Sequence, residues 1–471
     1  MQPNSKAKLT QGSVTRTLVK LTLPMFVAMF AMVGFNVVDT YFVGQLGVEQ
    51  LAAMGFTLAV VMAVQSVTMG LGMGTTAVIA KVIGQGDTHE TQRLNMNAIL
   101  LAVTVAVSIV IIGLSFMTPL FQKMGAEGQV LEYIRQYMSI WFFGLPLVII
   151  PQVGNSGLRA TGDTKTPAMI MVSVLTLNAI LDPLLMFGLG PFPELNLRGA
   201  AVATVISQGT AMVIALNVLW RRKLLTLERQ PIRHVLASWR RILTIAVPAG
   251  VTQMITPVST GIVTAIVAGY GVAAVAGFGV ASRLELFALM FVMAMGAGLV
   301  PFIGQNWGAG LKDRVGKGVR AAITFAAGWG GFVWLLSLLI GDSVAAMFND
   351  NPVVIAVVTD YMRIVFPSYI FLGMVFTVTF SLNALHKPLK SLVLSVLRMF
   401  VLYVPLALAG SALWGLTGVW WAAFSANIVS GLAAIAWFRY VFRGMEMQSA
   451  EETGPRMEAD IVSPEPEASP A

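Results

Sequence analysis

NAILLAVTVAVSIVIIGLSFM runs from Asn97 to Met117 without a single charged side chain. At ~1.5 Å of helical rise per residue, such a stretch can cross the ~30 Å hydrocarbon core of a bilayer. Comparable runs recur along the 471-residue chain, near 17–43, 51–80, 93–117, 130–157, 166–189, 198–220, 241–268, 274–303, 318–340, 354–384, 390–410 and 416–440. Composition agrees: 56% of residues are hydrophobic and 11% charged, against roughly 25% charged in soluble domains. A soluble core does not need charge-free runs of this length. The chain is therefore read as an all-α integral membrane protein of twelve transmembrane helices.

Loop charge gives the orientation. Lys6, Lys8, Arg16 and Lys20 precede the first span, and Arg221, Arg222, Lys223, Arg229, Arg233, Arg240 and Arg241 follow the sixth. Lys312, Arg314, Lys317 and Arg320 follow the eighth, while Lys123 and Arg198 are the few basic residues on the opposite side. The positive-inside rule then puts both termini in the cytoplasm of a cell bounded by an inner, plasma-type membrane. The net charge of +8 is loop charge facing an acidic leaflet, so no nucleic-acid partner is expected. No cleavable signal is visible, and the Pro/Glu-rich stretch 444–471 reads as a disordered cytoplasmic tail. The absence of cysteine excludes thiolate metal sites and a Cys nucleophile, and His89, His234 and His386 fall in polar connections, so no metal centre is expected.

The chain repeats itself. A shift of 224 residues lays Pro24 on Pro248, Gly47 on Gly271, Gly72 and Gly74 on Gly296 and Gly298, and Tyr137-Met138 on Tyr361-Met362. Because each half holds six spans, the halves share one orientation and are related by a pseudo-two-fold axis along the membrane normal. The expected organisation is a cytoplasmic segment 1–16, an N-lobe 17–220, a linker 221–240, a C-lobe 241–443 and the tail. Two such lobes enclose a cleft, the arrangement of a transporter rather than of a passive bundle.

Ionisable residues inside spans are expensive and mark function by default. Asp39 stands ~28 Å above the cytoplasmic entry of span one, and Asp182 ~24 Å above that of span five. Asn178 lies one turn below Asp182, and Thr204 ~9 Å below the outer end of span six. Asp39, Asn178, Asp182 and Thr204 thus form one oxygen-rich layer, suited to protons or to a hard cation such as sodium. Two close carboxylates in a low dielectric should titrate as a coupled pair. The competing reading is that each Asp only caps a helix end. Pro183 frees a carbonyl beside this layer, and Pro24 offers a hinge in span one below Asp39. Arg283 and Glu285 form a second polar candidate in span eight, pointing in different directions.

The residues resemble a known family. Asn36-Val-Val-Asp39-Thr-Tyr-Phe-Val-Gly44, Ala281-Ser-Arg283-Leu-Glu285 and Pro301-Phe-Ile-Gly-Gln-Asn306-Trp-Gly-Ala309, set in a six-plus-six repeat, resemble the multidrug and toxic compound extrusion (MATE) family and its DinF-like branch, to about residue 443. The resemblance implies a V-shaped pair of lobes exporting cationic or amphiphilic drug-like compounds against H+ or Na+, without a cofactor, by alternating access. It implies a first-lobe cation site on Asp39, Asn178, Asp182 and Thr204, with Tyr137, Asn155 and a kinking Pro24; the span boundaries place Asn155 nearer the cytoplasm. The NorM-like branch uses carboxylates in spans seven and ten, but span seven here has no acid and span ten only Asp360 at its edge. The alternative function is a flippase for a lipid-linked saccharide or another amphiphilic metabolite, which requires more cations in the cleft than Arg283, Arg363 and Arg398. An intramembrane enzyme lacks its nucleophile or metal ligands here. Membrane lipids are the expected neighbours, and a monomer the expected state.

Overall fold

The computed structural model describes residues 7–453. After a short 3-10 turn at Lys8–Thr10, the first half comprises α1 (Val14–Leu46), α2 (Val48–Gln85), α3 (Thr88–Lys123), α4 (Gly128–Ala160), α5 (Lys165–Met186) and α6 (Leu197–Arg221). The second half comprises α7 (Ile232–Ala268), α8 (Val272–Gly308), α9 (Lys312–Phe348), α10 (Pro352–Val365), α11 (Tyr369–Ala384), α12 (Pro388–Val396) and α13 (Val404–Thr453). No strand occurs among the described residues. Every backbone polar group in hydrocarbon must be satisfied within its own segment, and helices achieve this.

The twelve expected spans are all present, with local departures. α10 and α11 form one span through a 3-10 turn at Phe366–Ser368, where Pro367 cannot continue the α-helical ladder. A π-helical turn at Leu397–Tyr403 joins α12 to α13 just before Pro405, which has no N–H for the Val401 carbonyl. The last two spans run on as one helix except at Gly415, whose φ of 63° and ψ of −144° break it; only glycine takes that conformation cheaply. Eleven long apolar helices therefore account for twelve crossings, since Pro388–Met445 contains two.

Three boundaries are corrected. α7 begins at Ile232, inside the expected linker 221–240, because its first turns pack on α3: Trp239 Nε1 donates to the Asn97 carbonyl (2.9 Å) and Asn97 Nδ2 to Ser238 Oγ (3.0 Å). α13 runs to Thr453, past the expected boundary at residue 443, because helix-forming Met, Glu, Gln and Ala follow Gly444; residues 454–471 of the expected tail lie outside the described residues. α1 begins at Val14, inside the expected segment 1–16, and Ala7 and Leu9 before it are buried.

The halves meet along α1, α2, α7 and α8. Small residues allow the close approach: a Cβ on Gly74 of α2 would lie 2.6 Å from the Ile242 carbonyl oxygen of α7, and one on Gly70 2.8 Å from the Gly250 nitrogen. Among the described residues, the side-chain hydrogen bonds, ion pairs and ring contacts that join the halves cluster at the basic end. Gln305 Nε2 donates to the Ala160 carbonyl (2.7 Å), and Gln305 Oε1 accepts from the Leu9 amide (3.1 Å). Arg314 donates to the carbonyls of Leu9, Gln11 and Gly12, and Arg241 pairs with Glu90 (2.6 Å). The contacts furthest from that end are Gln253 with Met69 Sδ (3.2 Å) and the stacked rings of Phe26 and Phe291 (3.7 Å). The two halves are thus latched at the end rich in Lys and Arg.

Candidate functional site

Beyond the latch, the first half encloses a cavity of about 440 Å3 lined from α1, α2, α4, α5 and α6. Its polar wall includes Asp39 and Asn36 of α1, Tyr137 and Asn155 of α4, and Thr204 and Gln208 of α6; Met32, Met54, Phe35 and Trp141 supply apolar surface. Asn178 and Asp182 of α5 lie behind this wall, both fully buried, with Asn178 Nδ2 donating to Asp182 Oδ1 (3.0 Å). Their spacing of one helical turn makes that bond possible. Asp39, Asp182 and Tyr137 lie within electrostatic reach of one another.

The buried oxygens here are incompletely paired. Asp39 Oδ1, Asp182 Oδ2, Asn178 Oδ1, Asn155 Oδ1 and Thr204 Oγ1 have no hydrogen-bond partner in the structure. Buried polar atoms are normally satisfied, so a cluster of orphaned acceptors is suited to a proton or a small hard cation. Asp39 is not a terminal cap: it sits inside α1, seven residues before its end at Leu46, and its side chain is buried.

The structure therefore gathers six of the residues singled out in the sequence: Asp39, Tyr137, Asn155, Asn178, Asp182 and Thr204. Asn155 lines the same cavity as Asp39, despite its place late in α4. Pro24 does not reach the cavity. It lies ~22 Å along α1 from Asp39, between Thr22, whose hydroxyl meets Met295 Sδ (3.3 Å), and Phe26, which stacks on Phe291. It therefore lies within the seam between halves. Gln65, Gln152 and Gln208 also line the cavity and were not anticipated; Gln208 follows Thr204 by one turn, a polar pair on one face of an apolar span.

Arg283 and Glu285 separate. Glu285 accepts a hydrogen bond from the Tyr361 hydroxyl and lies within electrostatic reach of Arg398, next to the π-helical turn. Arg398 donates to Asn427 Oδ1 (3.3 Å), and Asn427 Nδ2 donates to Ser368 Oγ (2.9 Å). Tyr361 is the counterpart of Tyr137 under the 224-residue shift, so each half places a tyrosine beside a carboxylate. In the second half the acid is answered by an arginine; in the first it faces a second acid. Arg283 points away from this network, is exposed, and has no partner among the described residues.

At the basic end two titratable groups stand out. Partial burial alone would raise the Asp163 carboxyl, but hydrogen bonds from Thr166 and the charge of Arg222 outweigh it and hold the group below the usual range. His386, expected in a polar connection, is instead almost enclosed. Burial, and then repulsion by Lys81, push its imidazole down to about 4. Among the described residues no group of three His, Asp or Glu has the geometry to hold a metal ion.

The MatE family model matches the chain twice, over residues 24–184 and 248–409. The chain belongs to the MATE family. The two matches start 224 residues apart, the interval of the internal repeat. Over 426 residues the chain is 35% identical to the FAD transporter of Shewanella oneidensis, covering 90% of this chain and 94% of that one. It is 25% identical to the multidrug export protein MepA of Staphylococcus haemolyticus, covering 90% and 93%. The crystal structure of the Vibrio cholerae MATE transporter VcmN in the bent form superposes with a TM-score of 0.88 at 30% identity, covering 92% of this chain and 98% of that one. As a MATE protein the chain is a multi-pass membrane transporter and not an enzyme.

Proposed function

We propose that this MATE transporter is a cation-coupled antiporter, exporting amphiphilic aromatic compounds from the cytoplasm across the inner membrane. Both termini and the latch are taken to lie on the cytoplasmic side, as loop charge requires. The captured state is then closed towards the cytoplasm, with the polar cavity beyond the closure. The observation that carries the reading is Asp39 in the wall of a cavity lined by Met and aromatic side chains, with Asp182 buried behind that wall and an unpaired oxygen on each. Two carboxylates held together without a counter-ion attract a proton or sodium ion entering from outside. Ion binding neutralises the pair and removes a reason for the cavity to stay wide and wet, so cargo is expelled as the ion enters. Thioether and ring surfaces adapt to varied shapes, as polyspecific sites require.

Pro24 is assigned the hinge in this scheme. α1 carries Asp39 on one side of the proline and the seam contact of Thr22 on the other, so bending there links ion occupancy to the latch. The test is drug efflux from cells expressing Asp39→Asn at equal protein level. Efflux should fall at least tenfold; resistance equal to the parent refutes Asp39 as the coupling residue.

A second cargo reading, export of FAD, is favoured by one observation besides the 35%-identical relative. Arg283 is an exposed, unpartnered cation on the face of α8 turned from its lobe interior. It can meet a phosphate of a flavin dinucleotide while the rings occupy apolar surface. Arg283→Ala should then lower FAD flux into inverted vesicles and spare ethidium flux; equal effects on both refute the assignment. The flippase alternative loses support, because Arg398 is engaged with Asn427 and Arg363 with Asp342 (3.2 Å), leaving Arg283 alone.

A further inference from the structure

A second, larger cavity, about 1120 Å3, lies at the basic end of the first half, apart from the cargo cavity. Its walls are the segment before α1, the first turns of α1, the α2–α3 and α4–α5 turns, and the start of the linker after α6. Five cations project from those walls: Lys8, Arg16, Lys20, Lys165 and Lys223, none with an ion-pair partner among the described residues. Two acids are also present, but both are engaged. Asp87 accepts from the Glu90 amide (2.8 Å), capping α3. Asp163 accepts from the amides of Lys165 and Thr166 (both 3.0 Å) and pairs with Arg222. The starts of α3 and α5 are thus satisfied by the protein itself, whereas Ser13, which lines the cavity, makes no capping bond at the start of α1.

We propose that this cavity binds a phosphate-bearing anion. Loop charge alone does not account for it, because the repeat reproduces it only in part: the shift of 224 residues puts Arg240 where Arg16 stands, but Ile232 where Lys8 stands and Thr244 where Lys20 stands. Uncompensated lysines around a concave site, with an uncapped helix start, constitute an anion site of the kind that recognises phosphate. Leu9, Gln11 and Gly12 line the cavity and are also gripped by Gln305 and Arg314 of the second half. An anion bridging Lys8 and Arg16 to Lys165 therefore holds the latch segment in place and favours the state closed at this end. The phosphate has two sources, an anionic lipid headgroup or a soluble phosphate compound.

The full chain is placed in phosphatidylcholine nanodiscs, and its Tm is followed with pyrophosphate added, or with part of the lipid replaced by phosphatidylglycerol. The comparison is between Arg16→Gln/Lys20→Gln/Lys165→Gln and a control of equal charge, Arg240→Gln/Arg439→Gln/Arg443→Gln, on exposed sites of the second half. A Tm rise with either addition, abolished in the first triple variant and kept in the second, is expected, and the effective addition identifies the source. No rise in the parent, or an equal loss in both variants, overturns the proposal. A rise that appears only after deletion of the acidic residues 454–471 also overturns it, since the chain's own tail is then the occupant.

Discussion

Replacing Gln305 by Leu should unfasten the basic end while leaving both lobes folded. The side chain is fully buried at the seam and spans it with two hydrogen bonds, 3.1 Å from the Leu9 amide and 2.7 Å to the Ala160 carbonyl. Leucine fills nearly the same volume but answers neither group. Each buried backbone group left unpaired costs ~1–3 kcal/mol. The cost falls only on the closed state, since both groups meet water once the seam opens. A net ~2–4 kcal/mol shifts the open-to-closed ratio by roughly 30- to 1000-fold, at about 1.4 kcal/mol per tenfold. The chain has no cysteine, so one introduced thiol reports alone. Ala246→Cys places it at the α2–α7 contact, against Gly74. In inside-out vesicles, labelling by an impermeant maleimide should accelerate at least thirtyfold in the Gln305→Leu background. A reporter at Ala423→Cys, buried within the second half, should not accelerate. A rate at Ala246→Cys within twofold of the parent refutes the latch, and acceleration at both positions indicates unfolding instead.

Other expectations follow from packing and charge. Gly70→Ala puts a Cβ against the Ala246 carbonyl and Gly250 backbone, so α2 and α7 must separate; a loss of ~1–3 kcal/mol should appear as a lower Tm. Glu285→Gln removes the carboxylate charge that Arg398 faces and should lower Tm, with Glu285→Gln/Arg398→Met recovering part of the loss. The His386 imidazole, ordinarily near 6.5, titrates at about 4 when folded, so between those values the unfolded chain binds the extra proton. Stability should therefore fall as pH drops from about 6.5 to 4 and level off below, by up to ~3 kcal/mol. His386→Asn, which tolerates the positive φ of 59°, should flatten that slope in thermal melts.

Much of the architecture was legible because hydrocarbon imposes one solution on each apolar run, and because Gly and Pro recur at fixed spacing. The acidic layer was legible for the same reason: Asp39 and Asp182 stand out where charge is costly. Their mutual placement also followed from helical rise, without knowledge of lateral packing. What escaped was non-local. Asn155 lies at a different height by residue count, yet it reaches the cavity of Asp39 through packing that no local pattern encodes. Arg283 and Glu285, two residues apart, diverge as helical geometry requires, but the partners of Glu285 come from spans whose register depends on Pro367 and Pro405. The latch formed by Leu9, Gln305 and Arg314 joins residues almost 300 positions apart through backbone carbonyls, which have no sequence signature. His386 looked solvated because its neighbours are polar, but the chain folds it beneath α2.

The central claim is that ion entry at Asp39 and Asp182 drives cargo out. Reconstituted vesicles loaded with a fluorescent aromatic cation, given a pH gradient or a sodium gradient separately, test it most directly. Flux should follow one of the two gradients and fall to the leak rate in Asp39→Asn and Asp182→Asn. Flux indifferent to both gradients, or undiminished in either variant, contradicts the account.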